Sequence, residues 1–125
     1  NSVSKINLLG YALQKIKLDP NTSLAYLVLS KEELEKFNFQ KGDSEGFVNY
    51  CLSIKGVKNA VFLREDKSLI KISLRSKGDV KMNEFSQKYY GGGGHQNAAG
   101  AAVESNDIDF VTKTLIENFR SFCSV

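Results

Sequence analysis

The sequence predicts an α/β fold: a mixed sheet with one hairpin and helices packed on it, forming a single compact domain. Three observations carry that prediction. Runs with helical spacing and runs of strand length alternate irregularly, which argues against a doubly wound parallel sheet. Two strand-like runs flank a short polar stretch and suggest a hairpin. At 125 residues, 42% of them apolar, the chain has the length and content of one core-forming domain.

Each element has its own warrant. Leu8, Leu9, Ala12, Leu13 and Ile16 recur at helical spacing, and Asp19-Pro20-Asn21 stops that helix. Residues 24–30 form a near-continuous apolar run, the pattern of a strand covered on both faces. Ser30 and Glu33 make a capping box for a short helix that carries Leu34 and Phe37 and ends near Asn38. After Gly42, Asp43 or Ser44 is expected to cap a third helix with Phe47, Val48, Cys51 and Leu52 inward.

Residues 57–64 and 69–75 are the hairpin strands, with Glu65-Asp66-Lys67-Ser68 as their loop. In the second strand Leu69, Lys71, Ser73 and Arg75 point one way and Ile70, Ile72 and Leu74 the other, so Arg75 ends the strand on its polar face. Met82, Phe85 and Tyr89 mark a helix over 80–90 that runs straight into glycines. Residues 98–103, small and apolar, form the last strand. Ile108, Val111, Leu115, Phe119 and Phe122 define a final helix capped by Ser105 or Asn106. The expected order is α-β-α-α-β-β-α-β-α.

Composition narrows the function classes. A net charge of +3 is mild for a protein dedicated to duplex nucleic acid, yet it permits an anionic ligand. Cys51 and Cys123 lack metal-ligand spacing and a disulfide pattern, which fits a reducing cytoplasm. No stretch approaches the apolar length of a membrane span, so a cytoplasmic chain without a membrane partner is expected. One histidine among scattered carboxylates offers no metal cluster, so no cofactor and no catalytic residue is assigned to this chain.

The most informative segment is Gly91-Gly92-Gly93-Gly94-His95, followed by Gln-Asn-Ala-Ala-Gly to Gly100. Glycines expose backbone N–H groups and tolerate positive φ, so the run can form a concave anion site with an imidazole at its end. The nucleoside-triphosphate loop is excluded because Gly100 is followed by Ala101. The dinucleotide fingerprint is a poor fit because these glycines follow a helix. Two readings stay open, a phosphate cradle and a plain flexible loop. Arg75 with Ser76 offers a planar fork and a hydroxyl for a phosphate, or an ordinary solvated strand end.

The residues 72–76, Ile-Ser-Leu-Arg-Ser, then Asp79-Val80 and the glycine-histidine run resemble the C-terminal DHH-associated domain of DHH-family phosphoesterases. The resemblance is to the branch of nanoRNases, 3'-phosphoadenosine-5'-phosphate phosphatases and cyclic-di-AMP-pathway phosphodiesterases. Residues 43–50 and 54–57 also match that branch's pattern. It implies that an N-terminal DHH domain of the same polypeptide holds manganese and hydrolyses, while this domain binds a short oligonucleotide or phosphorylated nucleotide. By position, His95 and the amides of Gly92, Gly93 and Gly94 would contact phosphate, Arg75 and Ser76 would grip it, and Asn49 would be a further substrate contact. Residues 1–22 would be a linker or leading helix from the missing catalytic domain, and 23–125 the substrate-binding domain. The alternative is an RNA- or tRNA-binding accessory module without a hydrolytic partner, as in alanyl-tRNA synthetase-like proteins. A single-strand exonuclease of the RecJ type is a third reading. The oligomeric state, a homodimer included, is open.

Overall fold

A computed structural model describes residues 2–124. Six strands form one sheet: β1 (Lys17–Asp19), β2 (Leu24–Leu29), β3 (Asn59–Asp66), β4 (Leu69–Ser76), β5 (Gly93–His95) and β6 (Ala98–Glu104). Their spatial order is β1-β2-β3-β4-β6-β5. β2 and β3 are parallel and the other neighbours antiparallel, so the sheet is mixed as expected. Five α-helices pack on it: α1 (Val3–Lys15), α2 (Lys31–Lys36), α3 (Phe47–Leu52), α4 (Met82–Tyr90) and α5 (Ile108–Cys123). Among the described residues no helix is long and apolar enough to cross a membrane.

Period-two alternation splits the core into two layers. On one face Val61, Leu63, Ile70, Ile72 and Leu74 pack against Met82, Phe85, Leu115 and Phe119 from α4 and α5. Phe85 is the hub, with Phe119 edge-on at 5.2 Å between ring centroids and Tyr89 at the same separation. Each such pair adds roughly 0.5–1.5 kcal/mol beyond the area it buries. On the other face Ala25, Leu27, Leu29, Ala60 and Phe62 pack against Leu8 and Ala12 of α1, Leu34 of α2 and Phe47, Val48 and Cys51 of α3. β2 is thus covered on both sides, which accounts for its unbroken apolar run. The leading helix sits in this second layer, with Leu8 and Ala12 fully buried.

Glu33 latches the second layer. Beyond its capping-box bond with Ser30, it accepts from the Tyr11 hydroxyl and the Lys15 ammonium of α1. Burial alone would raise its carboxyl, but the hydrogen bonds from Lys15, the Ser30 N–H and Tyr11 outweigh that and hold it at about 2. At the opposite edge Asp19 accepts from Arg120 at 2.7 Å, tying β1 to α5, and the Arg120 bond keeps its carboxyl below the usual range. Cys51 and Cys123 are free, and burial pushes the Cys51 thiol up to about 11, away from reactivity.

Several local expectations are corrected. Asp19-Pro20-Asn21 does not simply end α1, because residues 17–19 first form the short strand β1. Asp43 does not cap α3: its carboxylate accepts from the Gln40 N–H at 2.8 Å within a run of turns, Ser44 makes no side-chain cap, and left-handed Gly46 precedes the helix. The hairpin strands extend further than expected and leave only Lys67 and Ser68 between them. Asp107, not Ser105 or Asn106, caps α5 by accepting from the Phe110 N–H, while Ser105 Oγ accepts from the Asp107 N–H. The glycine run is not wholly a loop, since residues 93–95 form edge strand β5.

Candidate functional site

The helices of the second layer cover mainly β2 and β3, with α3 reaching β4. Toward β6 and β5 the face opens, and strand register sets what these strands display. Arg75 lies opposite Ala60 on β3 and Ala98 on β6, and Ala98 lies opposite His95 on β5. Residues directly opposite share a face, so Arg75 and His95 point the same way across Ala98, with Cα atoms about 10 Å apart by strand spacing. The next row along this face is Phe62, Ser73, Gly100 and Gly93, and the one after it Arg64, Lys71 and Ala102. The floor between the charged groups is therefore small and flat.

Arg75 is held in place. Its Nη1 donates to the carbonyls of Leu74 at 2.9 Å and Ala99 at 3.4 Å, which spends that nitrogen and leaves Nε and Nη2 to donate elsewhere. Among the described residues no carboxylate lies within 4.0 Å of Arg75 or His95. His95 is exposed, and the two-residue turn Gln96-Asn97 that follows it is pinned from below. Asn97 Nδ2 donates to Ser76 Oγ at 2.8 Å, the Ser76 N–H donates to the Asn97 carbonyl at 3.1 Å, and the Met82 N–H donates to the Gln96 carbonyl at 2.8 Å. These bonds tie the imidazole's turn to the end of β4 and the start of α4.

Ser76 therefore is not a companion of Arg75. It shares the face of Leu74, is 4% exposed, and donates its hydroxyl to the Val80 carbonyl at 2.8 Å. The structure makes it a support for the His95 turn. The alternation along β4 already contained that signal, since Ser76 follows Leu74 by two. Asn97 and Ser86 are the residues that sequence reasoning passed over. Ser86 is fully buried and donates to the Gly100 carbonyl at 2.8 Å, joining α4 to β6. Only the position of Asn97 inside the glycine-histidine motif hinted at its role.

The four glycines divide by what they do. The Gly91 and Gly92 N–H groups close the end of α4 by donating to Gln87 and Ser86 carbonyls. The Gly92 amide is thus spent and not free for a ligand, contrary to expectation. A Cβ at Gly92 would sit 2.3 Å from both the Gly100 carbonyl oxygen and Ser86 Oγ, so glycine is required for close approach. Gly94 has φ +140° and a Cβ there would lie 2.6 Å from Ala99 Cα. At Gly93 a Cβ would meet nothing within 4 Å, so the fold leaves its identity to whatever approaches from outside. Because β5 is an edge strand, one side of its backbone is unpaired and can offer amides. Asn49 is exposed on α3 and does not line the hollow beside Arg75.

That hollow, about 350 Å³, lies over Phe62, Ser73 and Arg75, and its wall is the segment from Lys41 to Gly46. A second hollow of about 380 Å³ lies on the other face between β2 and α5. It holds none of the candidate site residues, although the capping-box pair Ser30 and Glu33 lines it. Among the described residues no three His, Cys, Asp or Glu side chains gather in a group that could hold a metal ion.

The DHHA1 domain family matches residues 21–121. The chain belongs to that family. This DHHA1 domain is 35% identical over 106 residues to the bifunctional oligoribonuclease and PAP phosphatase NrnA of Bacillus subtilis, covering 85% of this chain and 32% of that protein. An exopolyphosphatase-related protein from Bacteroides fragilis superposes with a TM-score of 0.87 at 41% identity, over 97% of this chain and 36% of that one. The C-Ala domain of Aquifex aeolicus alanyl-tRNA synthetase shares the fold alone, at 14% identity and a TM-score of 0.57 over 78% of this chain and 90% of that domain. The DHHA1 chain spans about a third of the length of the NrnA and exopolyphosphatase-related relatives.

Proposed function

We propose that this chain is the substrate-binding half of a phosphodiesterase acting on short oligonucleotides or small phosphorylated nucleotides. The observation that carries the reading is the row Arg75-Ala98-His95 on an open sheet face, beside an edge strand of glycines. A phosphate over Ala98 accepts from the free guanidinium N–H groups of Arg75 and from the His95 imidazole. Gly93, bare on the same face beside His95, leaves room for the rest of the ligand. Each charge-assisted contact is worth roughly 1.5–3 kcal/mol.

Hydrolysis belongs, in this reading, to an N-terminal DHH domain of the same polypeptide, which would supply manganese across a cleft. This chain's own part is to bind and orient: Arg75 is pre-set by two carbonyls, and Ser76 with Asn97 fixes the turn that presents His95. The resemblance of the NrnA relative, named for oligoribonuclease and PAP phosphatase activities, supports a nucleotide as the phosphate's owner.

The test is equilibrium binding of a 5'-phosphorylated dinucleotide to this chain by calorimetry. Arg75→Ala and His95→Ala should each weaken it about tenfold or more, the loss of one charge-assisted bond. Equal affinity in wild type and both variants would overturn the site.

A further inference from the structure

The α5 face of the sheet carries a hollow of about 380 Å³ between β2 and α5, within the size range of small-ligand sites. It lies on the side opposite Arg75, since Tyr26, Val28 and Ile116 pack with the cluster that holds Leu74. The function proposed above makes no use of it.

The hollow follows from the shortness of β1. That strand pairs only with Leu24, Ala25 and Tyr26, so from Leu27 onward the outer edge of β2 has no strand beside it. α1 ends at Lys15, whose Nζ crosses the gap and donates to the Val28 carbonyl at 2.7 Å. The N–H and carbonyl of a strand residue point to the same side, so the Val28 N–H also faces this edge, where no strand accepts from it. A lysine thus occupies the acceptor of this edge residue and leaves its donor open.

The lining divides by chemistry. Tyr26 and Val28 of β2, with Ile108 and Ile116 of α5, give an apolar floor. Lys15 and Glu33 form an ion pair among the lining residues, so their charges cancel. Three charged residues remain, Lys17 of β1 and Asp109 and Lys113 of α5, and all three are exposed. Among the described residues none of them lies within 4.0 Å of an opposite charge. Two cations against one carboxylate leave a single positive charge uncompensated beside the floor. An apolar molecule with one negative charge matches that excess, whereas a doubly charged phosphate overshoots it and a neutral or cationic head group leaves it unmatched.

We infer that the hollow is a binding site for a small apolar carboxylate. Its body lies on Tyr26, Val28, Ile108 and Ile116, and its carboxylate meets Lys17 and Lys113, which line the same hollow. The open N–H of Val28 is a further donor along the edge. This site stands apart from the phosphate row on the other face, and either can fail alone.

The test is an NMR titration of this chain with three probes that share one body and differ in head group: 4-phenylbutyrate, 4-phenylbutanol and 4-phenylbutylamine. The carboxylate should saturate with a Kd below about 1 mM and shift the methyl signals of Val28, Ile108 and Ile116. The alcohol should bind about fivefold more weakly, the amine more weakly still, as two exposed charge contacts predict. Lys17→Ala/Lys113→Ala changes only exposed side chains. It should bring the carboxylate to within about twofold of the alcohol and leave the alcohol unchanged. Asp109→Asn, which removes the one opposing charge, should tighten the carboxylate about twofold. Absence of saturation, shifts confined to other methyls, equal affinity for the three head groups, or a double variant that binds the carboxylate as wild type does would each overturn the site.

Discussion

The two faces of β4 are built from neighbouring residues and have opposite fates. Ile70, Ile72 and Leu74 are buried under α4 and α5, while Lys71, Ser73 and Arg75, interleaved with them, stay open or half-buried. The difference is not made by β4 alone. On its polar face the covering helices sit mainly over β2 and β3, α3 reaches β4, and the turns from Lys41 to Gly46 leave a hollow over Ser73 and Arg75. One side of the strand is thus a closed core whose worth is stability. The other is a more open surface, whose residues the proposed function assigns to binding.

The sharpest break of that comparison uses adjacent residues. Leu74→Ala should cost about 2–5 kcal/mol of stability by leaving a cavity under α4. Arg75→Ala should cost about 0.5 kcal/mol or less, although it removes the proposed phosphate contact. Chemical denaturation of both variants measures this. Similar losses at the two positions would mean that Arg75 is structural and the open face is not a binding face.

Acid should act on the covered half before the open one. Glu33 titrates at about 2 in the folded chain, below the ordinary carboxylate value of about 4.3 for an unfolded one. A depressed carboxylate contributes stability that is present above the unfolded value and disappears as pH falls through the folded one. Up to about 3 kcal/mol should therefore be lost between about pH 5 and pH 2, and Glu33→Gln should flatten this part of the profile. An unchanged profile in that variant would remove Glu33 as the latch of α1 and α2.

A smaller contrast lies inside the glycine run. Gly92→Ala should destabilise by about 1–3 kcal/mol, because its Cβ meets the Gly100 backbone and Ser86. Gly93→Ala should fold almost normally, since its Cβ meets nothing, and should instead weaken phosphate binding by blocking approach to β5. Thermal melts and dinucleotide binding on the two variants separate these roles. Equal melting losses would erase the distinction between packing glycine and ligand-facing glycine.

Much of this was legible beforehand. The capping box at Ser30 and Glu33, the doubly buried run of β2, the hairpin and the polar parity of Arg75 all follow from local patterns of hydrophobicity and hydrogen-bonding type. The short strands β1 and β5 were not legible, because three residues are too few to show a period and glycine has no side chain to reveal a face. The Asp43 cap failed for a related reason. An aspartate before an apolar stripe marks a turn as readily as a helix start, and here the turn at Gln40 took it.

What the sequence alone determined is the set of chemical groups and their alternation: a guanidinium on the polar side of a strand and a histidine behind glycines. Only the tertiary structure decided which of them meet. Pairing β5 and β4 to the same strand, β6, placed Arg75 and His95 in one row across Ala98. Register is set by long-range hydrogen bonding between strands far apart in the chain, and that geometry is carried by no single local segment.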